Sequence, residues 1–300
     1  MKTSHIAVAV MSFDRPHYLE RVLQTVVAQL PMRDAEPVFY LFQDGSQSPR
    51  TRQVFGNAKL MEESVRVFRK YLPQGHVFDS KVNLGVAMNF DRAERTLFEE
   101  NGYEAAIFLE DDLLLQPHYF QVMEDMLALA AGRDDIGMVT ALGFQHHTPL
   151  AEQRAHANEV RLMDEHNWAF GLLRKTWEKR DAALRPYLQL VANIDYRERD
   201  KGDRKLALRA LQQSLGRHGA GYLTSQDSMK NLAFELLGLH RITSFTNNAR
   251  YVGKEGEHST AEKFAARGYD RTIMYDRPHG GFQIPDGPEL RRMRLGLQYR

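Results

Sequence analysis

The stretch YEAAIFLEDDLLLQPHYF, residues 103–120, decides how this chain is read. Residues 104–109 are almost wholly apolar, as expected of a strand buried on both faces at the centre of a sheet. Three acids follow at once: Glu110, Asp111 and Asp112. Like charges crowded at a sheet edge raise one another's pKa, and a divalent cation relieves that cost. Oxygen-only ligands with open positions suit Mg²⁺ or Mn²⁺, which retain waters and bind nucleotide phosphates. The competing reading is a helix cap, with Asp111 or Asp112 at the start of a helix beginning near Pro117. The position directly after an apolar strand favours the metal.

Outward from this segment, short apolar runs alternate with amphipathic ones, the pattern of βα units around a mainly parallel sheet. Strands are expected at 5–11, 38–42, 77–80 and 136–140, and helices from Arg15-Pro16, over 49–72 and over 86–100. Proline suits a first helical turn, which needs no backbone donor there. In open α/β sheets ligands bind beyond the carboxyl ends of the strands, so the loops after Met11, Phe42 and Leu109 should converge on one site. Arg15 can pair bidentately with a diphosphate, while Asp14 beside it can cap the helix. Asp44, in QDGS, can accept a base N–H or serve only as a turn residue.

The second half is less regular. His146 and His147 fall in a loop, NWAFGLLRKTWEKR from Asn167 reads as a turn into a helix, and the charged run 197–205 reads as a solvated helix or loop. A helix is expected over 222–237, then a glycine-containing loop over 253–260. Trp168 and Phe170 can stack on an apolar sugar face, with Gly171 permitting close approach, or simply pack the core. The segment 278–281 and the basic end RRMRLGLQYR read as peripheral.

Composition excludes several classes. The chain has 300 residues, 43% of them hydrophobic, enough for a substantial core. Forty basic and thirty-nine acidic residues leave a net charge of +1, so no overall field draws nucleic acid. Zero cysteines exclude disulfides, thiolate zinc sites and cysteine nucleophiles. No apolar run approaches the roughly twenty residues needed to span a bilayer.

Taken in order, these segments resemble the N-acetylglucosaminyltransferase I family of GT-A glycosyltransferases over roughly residues 5–265. VAVMSFDRP resembles its first strand and nucleotide loop, LFQDGS its uracil loop, and YEAAIFLEDDLLLQPHYF its metal strand and following helix. NWAFGLLRKTWE resembles the acceptor-side turn, and TSQDSMKNLAFELLGLHRITSFTNNARYVGKEGEHS the catalytic-base segment and phosphate-covering loop. The resemblance implies a Rossmann-like α/β fold with a mainly parallel central sheet, flanking helices and an irregular acceptor-side C-terminal part. Residues 1–140 would form the nucleotide-sugar half, 141–270 the acceptor and catalytic-base half, and 271–300 a tail. It places Arg15 on the diphosphate, Asp44 on uracil, and Glu110 and Asp111 on the sugar nucleotide. Asp112 becomes the metal ligand, with His258 as a further candidate, and Asp227 the general base. Lys254 and Ser259 fall in the loop closing over the phosphates, and Trp168 and Phe170 face the acceptor. Asn89 stands where the family has a nucleotide-contacting His, and the family's membrane anchor and stem have no counterpart in this sequence.

The activity implied is metal-dependent, inverting transfer of a sugar from a nucleotide diphosphate to a hydroxyl of a glycan, lipid-linked or small-molecule acceptor. UDP-sugars are the expected donors, UDP-GlcNAc among them, with Mn²⁺ or Mg²⁺ as cofactor. A retaining transferase, a sugar nucleotidyltransferase and a nucleotide-sugar-binding protein without turnover are the alternatives. SFDRPHY after the first strand differs from the glycine-rich triphosphate loop a nucleotidyltransferase shows. Asp227 can instead cap a helix starting at Ser228. A cytoplasmic setting is expected, with Arg291, Arg292, Arg294 and Arg300 either solvated or touching anionic lipid at the membrane's inner face.

Overall fold

The computed structural model describes residues 6–32, 36–143, 145–163, 167–192, 194–195, 198–199, 201–216, 225–256, 259–290 and 293. The chain begins with β1 (Ile6–Ser12), α1 (Pro16–Val27), β2 (Val38–Gln43), α2 (Ala58–Tyr71), β3 (His76–Asp79), α3 (Gly85–Arg95) and β4 (Ala105–Glu110). It continues with β5 (Leu113–Leu115), α4 (Tyr119–Ala131), β6 (Ile136–Thr140), α5 (Leu150–Ala155), β7 (Val160–Leu162), β8 (Phe170–Leu173) and α6 (Arg174–Val191). Last come α7 (Gly202–Ser214), α8 (Gln226–Leu236), β9 (His240–Ser244), β10 (Ala249–Tyr251) and α9 (Ala261–Ala266).

Eight strands form one sheet in the order β3-β2-β1-β4-β8-β6-β9-β7, and β5 pairs with β10 in a separate antiparallel ribbon. β1, β2, β3 and β4 are mutually parallel, whereas β8 runs against β4 and β6, and β7 against β9. The α/β architecture with a mostly parallel sheet is therefore as expected. The sheet runs without a break across residue 140, since β8, β9 and β7 continue it.

Strand alternation divides the core between two layers. Ile6, Val8 and Val10 face a layer containing Leu19, Val22 and Leu23 of α1, Phe68 of α2 and Met123 of α4. Ala7, Ala9 and Met11 face Phe90 of α3, Trp177 of α6 and Phe234 of α8. Small residues in β1 thus sit opposite large rings. Phe108 of β4 stacks on Phe170 of β8 with centroids 4.9 Å apart, and truncating such a buried ring costs about 3–5 kcal/mol.

Several expectations require correction. The 49–72 helix begins only at Ala58, capped by Asn57, whose side chain accepts from the Lys59 amide. Residues before it form a loop that closes on itself through the Phe55 amide to the Ser46 carbonyl. NWAFGLL holds the central strand β8 rather than a turn leading directly into a helix. The segment around 278–281 is not peripheral: His279 is only 8% exposed and is bonded to the body of the protein. In the charged run, Arg199 is buried. His258 and the four C-terminal arginines lie outside the described residues. No helix among the described residues is long and apolar enough to cross a membrane.

Candidate active site

Parallel register sets the site. Ser12 pairs with Gln43, and Met11 with Glu110, so the loops after β1, β2 and β4 leave the sheet side by side at its carboxyl edge. Glu110 ends β4, and Asp111 and Asp112 follow, only 2% and 4% exposed. Neither aspartate caps α4, which starts after His118 without a side-chain cap. β5 intervenes instead.

Arg15 meets these carboxylates from the end of β1. Pro16 keeps it out of helical backbone (φ −121°), and its guanidinium pairs with Asp111 and lies 2.8 Å from Asp112. Asp14 does not cap α1; its Oδ2 accepts from the Asn57 amide. Burial pushes Asp112 up to about 6, with Asp111's charge adding and Arg15's opposing. Burial likewise raises Asp111 against the pull of Arg15. Glu110 is raised well above the ordinary carboxylate range, by burial and by the charges of Asp112, Asp227 and Asp111.

The β5–β10 ribbon brings a second loop over the cluster. Leu113 pairs with Tyr251, and the Val252 amide donates to the Asp112 carbonyl. A Cβ on Gly253 would fall 2.5 Å from Asp112 Oδ2, so the loop backbone lies directly against that carboxylate. Arg15 Nη1 donates to the Glu255 carbonyl at 3.1 Å, the Lys254 amide to the Tyr18 hydroxyl at 3.1 Å, and Ser259 Oγ to the Gly253 carbonyl at 2.7 Å. The Lys254 side chain is exposed, its ammonium 5.4 Å from the Phe264 ring centroid. Burial, reinforced by Asp112, pushes the Tyr251 phenol up to about 12.

Asp44 is buried beyond β2, and its carboxylate accepts from the amides of Gly45, Leu84 and Gly85 and from Asn83 Nδ2 at 2.7–3.2 Å. It therefore holds the first turn of α3 from another element. Burial pushes it up to about 6 despite these bonds. Asn89 is also buried, donating to the Phe42 carbonyl and accepting from Arg92.

Asp227 comes to the same edge on α8. Ser225 is the N-cap, its hydroxyl accepting from the Ser228 amide, so Asp227 sits in the first turn and does not cap the helix. The charge of Asp227 acts on Glu110, so the two carboxylates lie within electrostatic reach of each other. Asn167 ties this turn to β8's approach, donating to the Asp227 carbonyl at 3.4 Å and to Asn231 Oδ1 at 2.8 Å. Trp168 is half-buried and stacks on Tyr251 with centroids 4.4 Å apart. Phe170 is 1% exposed between Phe108 and Phe90, so it packs the core and offers no face to a sugar. His146 leans on Tyr269, and His147 is exposed.

Among the described residues no three His, Asp or Glu side chains form a group that could hold a metal by themselves. The donor set nonetheless fits a Mg²⁺-type ion, which takes one or two carboxylates and completes its shell with water and phosphate oxygens. Asp111 Oδ2 is buried without a hydrogen-bond partner, an orphaned acceptor that a cation would satisfy. Asp112 and Asp111 would hold such an ion. Sequence reasoning missed Asn167, Tyr251 and the Asn83–Leu84–Gly85 turn. NLG at 83–85 carried a turn signal, and Gly85 does adopt φ +73°. Nothing local marked the other two.

A sequence model described as the GNT-I family matches residues 1–159. No curated protein matches the chain.

Proposed function

The chain belongs to the GNT-I family and is a glycosyltransferase with an α/β fold, and from that premise we propose an inverting, metal-assisted transfer from a UDP-sugar. The observation that supports the proposal is the delivery of Glu110, Asp111 and Asp112 by β4 to one sheet edge, within electrostatic reach of Asp227. Arg15 and the 252–256 loop bind the diphosphate, the guanidinium by charge and the loop by closing over it. Glu110 orients the sugar, and Trp168 with Tyr251 forms the aromatic wall toward the acceptor. The acceptor hydroxyl oxygen attacks the anomeric carbon from the face opposite the diphosphate. Its proton passes to Asp227 as the bond to the leaving phosphate oxygen breaks. A bound Mn²⁺ or Mg²⁺ supplies positive charge that offsets the charge gathering on the departing nucleotide. Glycans, lipid-linked glycans or hydroxylated small molecules are the acceptor classes.

The base pocket lies beside Asp44. Its four acceptor positions are already engaged by protein donors, so it shapes the turn that uracil meets and contacts the base only by sharing one of them. Calorimetric titration with UDP, GDP, CMP and TDP, each with and without Mn²⁺, tests the donor assignment. Manganese-dependent UDP binding that Asp112→Ala abolishes is expected; no nucleotide binding with metal present would sink it.

A further inference from the structure

Behind Asp227 lies a group of ions that the reaction as described does not use. Glu94 of α3, Arg180 of α6 and Lys230 of α8 are each at most 2% exposed. Arg180 forks onto both Glu94 oxygens, and Lys230 Nζ donates to Glu94 Oε1 at 2.9 Å. The surroundings are aromatic: the ammonium lies 4.4 Å from the Phe90 centroid and 5.4 Å from that of Phe170, and the Arg180 guanidinium 5.8 Å from Phe234.

Two cations against one anion leave an excess positive charge in a dry interior. Apolar side chains of similar volume would join the same three helices without desolvating any ion, so cohesion alone does not account for the triad. Burial does weigh on it, lowering Lys230 against the opposing pull of Glu94. A further anion acting on Lys230 is Asp227, one turn earlier on the same helix. A bonded ammonium fixes both distance and direction, whereas a leucine in its place would tolerate a helix slipping by an ångström.

We propose that Lys230, anchored by Glu94 and Arg180, is a positioning residue that sets where the first turn of α8 presents Asp227 to the acceptor hydroxyl. This rests on Asp227 being the base. Asn167, bonded to the Asp227 carbonyl and Asn231, holds the same turn from its other side. The turn is thus tied both to the segment before β8, through Asn167, and to the ionic triad, through Lys230.

Lys230→Met suits the test because it leaves Glu94 and Arg180 as a neutral, two-bonded pair, so the variant should fold. Transfer kinetics, Mn²⁺–UDP calorimetry and amide hydrogen exchange are measured on wild type, Lys230→Met and Lys230→Arg. The expected result for Lys230→Met is a kcat lower by about 100-fold, the cost of misplacing a catalytic group by about 1 Å. Donor KM and UDP affinity stay unchanged, and amides 227–231 exchange faster. Lys230→Arg, which keeps the charge, recovers part of the rate. Unchanged kcat and protection, or a loss of UDP affinity that matches the loss of rate, overturns the proposal. Should wild type bind no nucleotide, the donor-site reading fails, and exchange at 227–231 still decides whether Lys230 holds that turn.

Discussion

Arg15 Nη1 lies 2.8 Å from Asp112 Oδ2 while the same guanidinium pairs with Asp111 and donates to the Glu255 carbonyl. One side chain therefore links the end of β1, the acidic cluster after β4 and the loop after β10. Arg15→Met leaves two buried carboxylates without their counter-charge, at a cost of about 3 kcal/mol. UDP affinity should fall on the order of 10- to 100-fold, as expected for a lost charged hydrogen bond. Added Mn²⁺ should restore part of the melting temperature, because a cation bound to the folded state stabilises it. Wild-type melting and affinity in the variant would show that Arg15 does neither job.

Asp44→Ala removes the acceptor for three backbone amides and one side-chain amide in a buried turn. Unsatisfied buried donors cost about 1–3 kcal/mol each, reduced where water enters, so a loss of about 3 kcal/mol is expected in denaturant unfolding. Asp44→Asn should lose roughly half as much, having one acceptor oxygen in place of two. Equal stability of all three proteins would remove Asp44 from the structural account of α3.

Gly253→Ala tests how close the loop lies to the cluster. The new methyl would stand 2.5 Å from both Asp112 Oδ2 and the Tyr251 hydroxyl, distances that force one of the three to move. Because Gly253 is buried, the forced shift should cost about 1–3 kcal/mol of stability, and Mn²⁺-dependent UDP affinity should drop about 10-fold or more. A variant that binds as wild type places the donor elsewhere.

His279 gives a pH signature of its own. Its Nδ1–H donates to the Ala157 carbonyl at 2.9 Å, and Nε2 lies 3.2 Å from both the Thr246 hydroxyl and Asn248 Oδ1. Burial, opposed by the bond to Ala157, depresses its pKa to about 4 from an ordinary 6.5. A depressed value means the folded state binds the proton less readily than the unfolded chain does. The stability it contributes is complete above 6.5 and lost as pH falls through 4, amounting to about 3 kcal/mol at most. Unfolding measured between these limits should slope more steeply in wild type than in His279→Gln. Parallel slopes would mean that the ring is not held neutral.

The N-terminal half was legible because each of its signals is local. A six-residue apolar run can bury β1 on both faces, Pro16 marks a helix start, and acids directly after an apolar strand stand at a sheet edge wherever that strand goes. Phe170 was ambiguous for the opposite reason. Whether a ring in NWAFG meets a sugar or a core depends on β8 inserting between β4 and β6, a pairing that joins residues far apart in sequence. The overlong helix at 49–72 failed because its boundary is set by one capping bond at Asn57, which periodicity does not register.

By itself the sequence determined the α/β class, the carboxylate cluster and its place after a buried strand, since these follow from hydrophobic period and from the chemistry of adjacent charges. Only the tertiary structure decided which groups meet there. That Arg15 pairs with Asp111 and Asp112, that Asp44 is bound by the turn before α3, and that Lys230 answers to Glu94 and Arg180 are contacts across tens to more than a hundred residues. The physical reason is that composition fixes what a side chain can bond, while burial and strand order fix what it finds within reach.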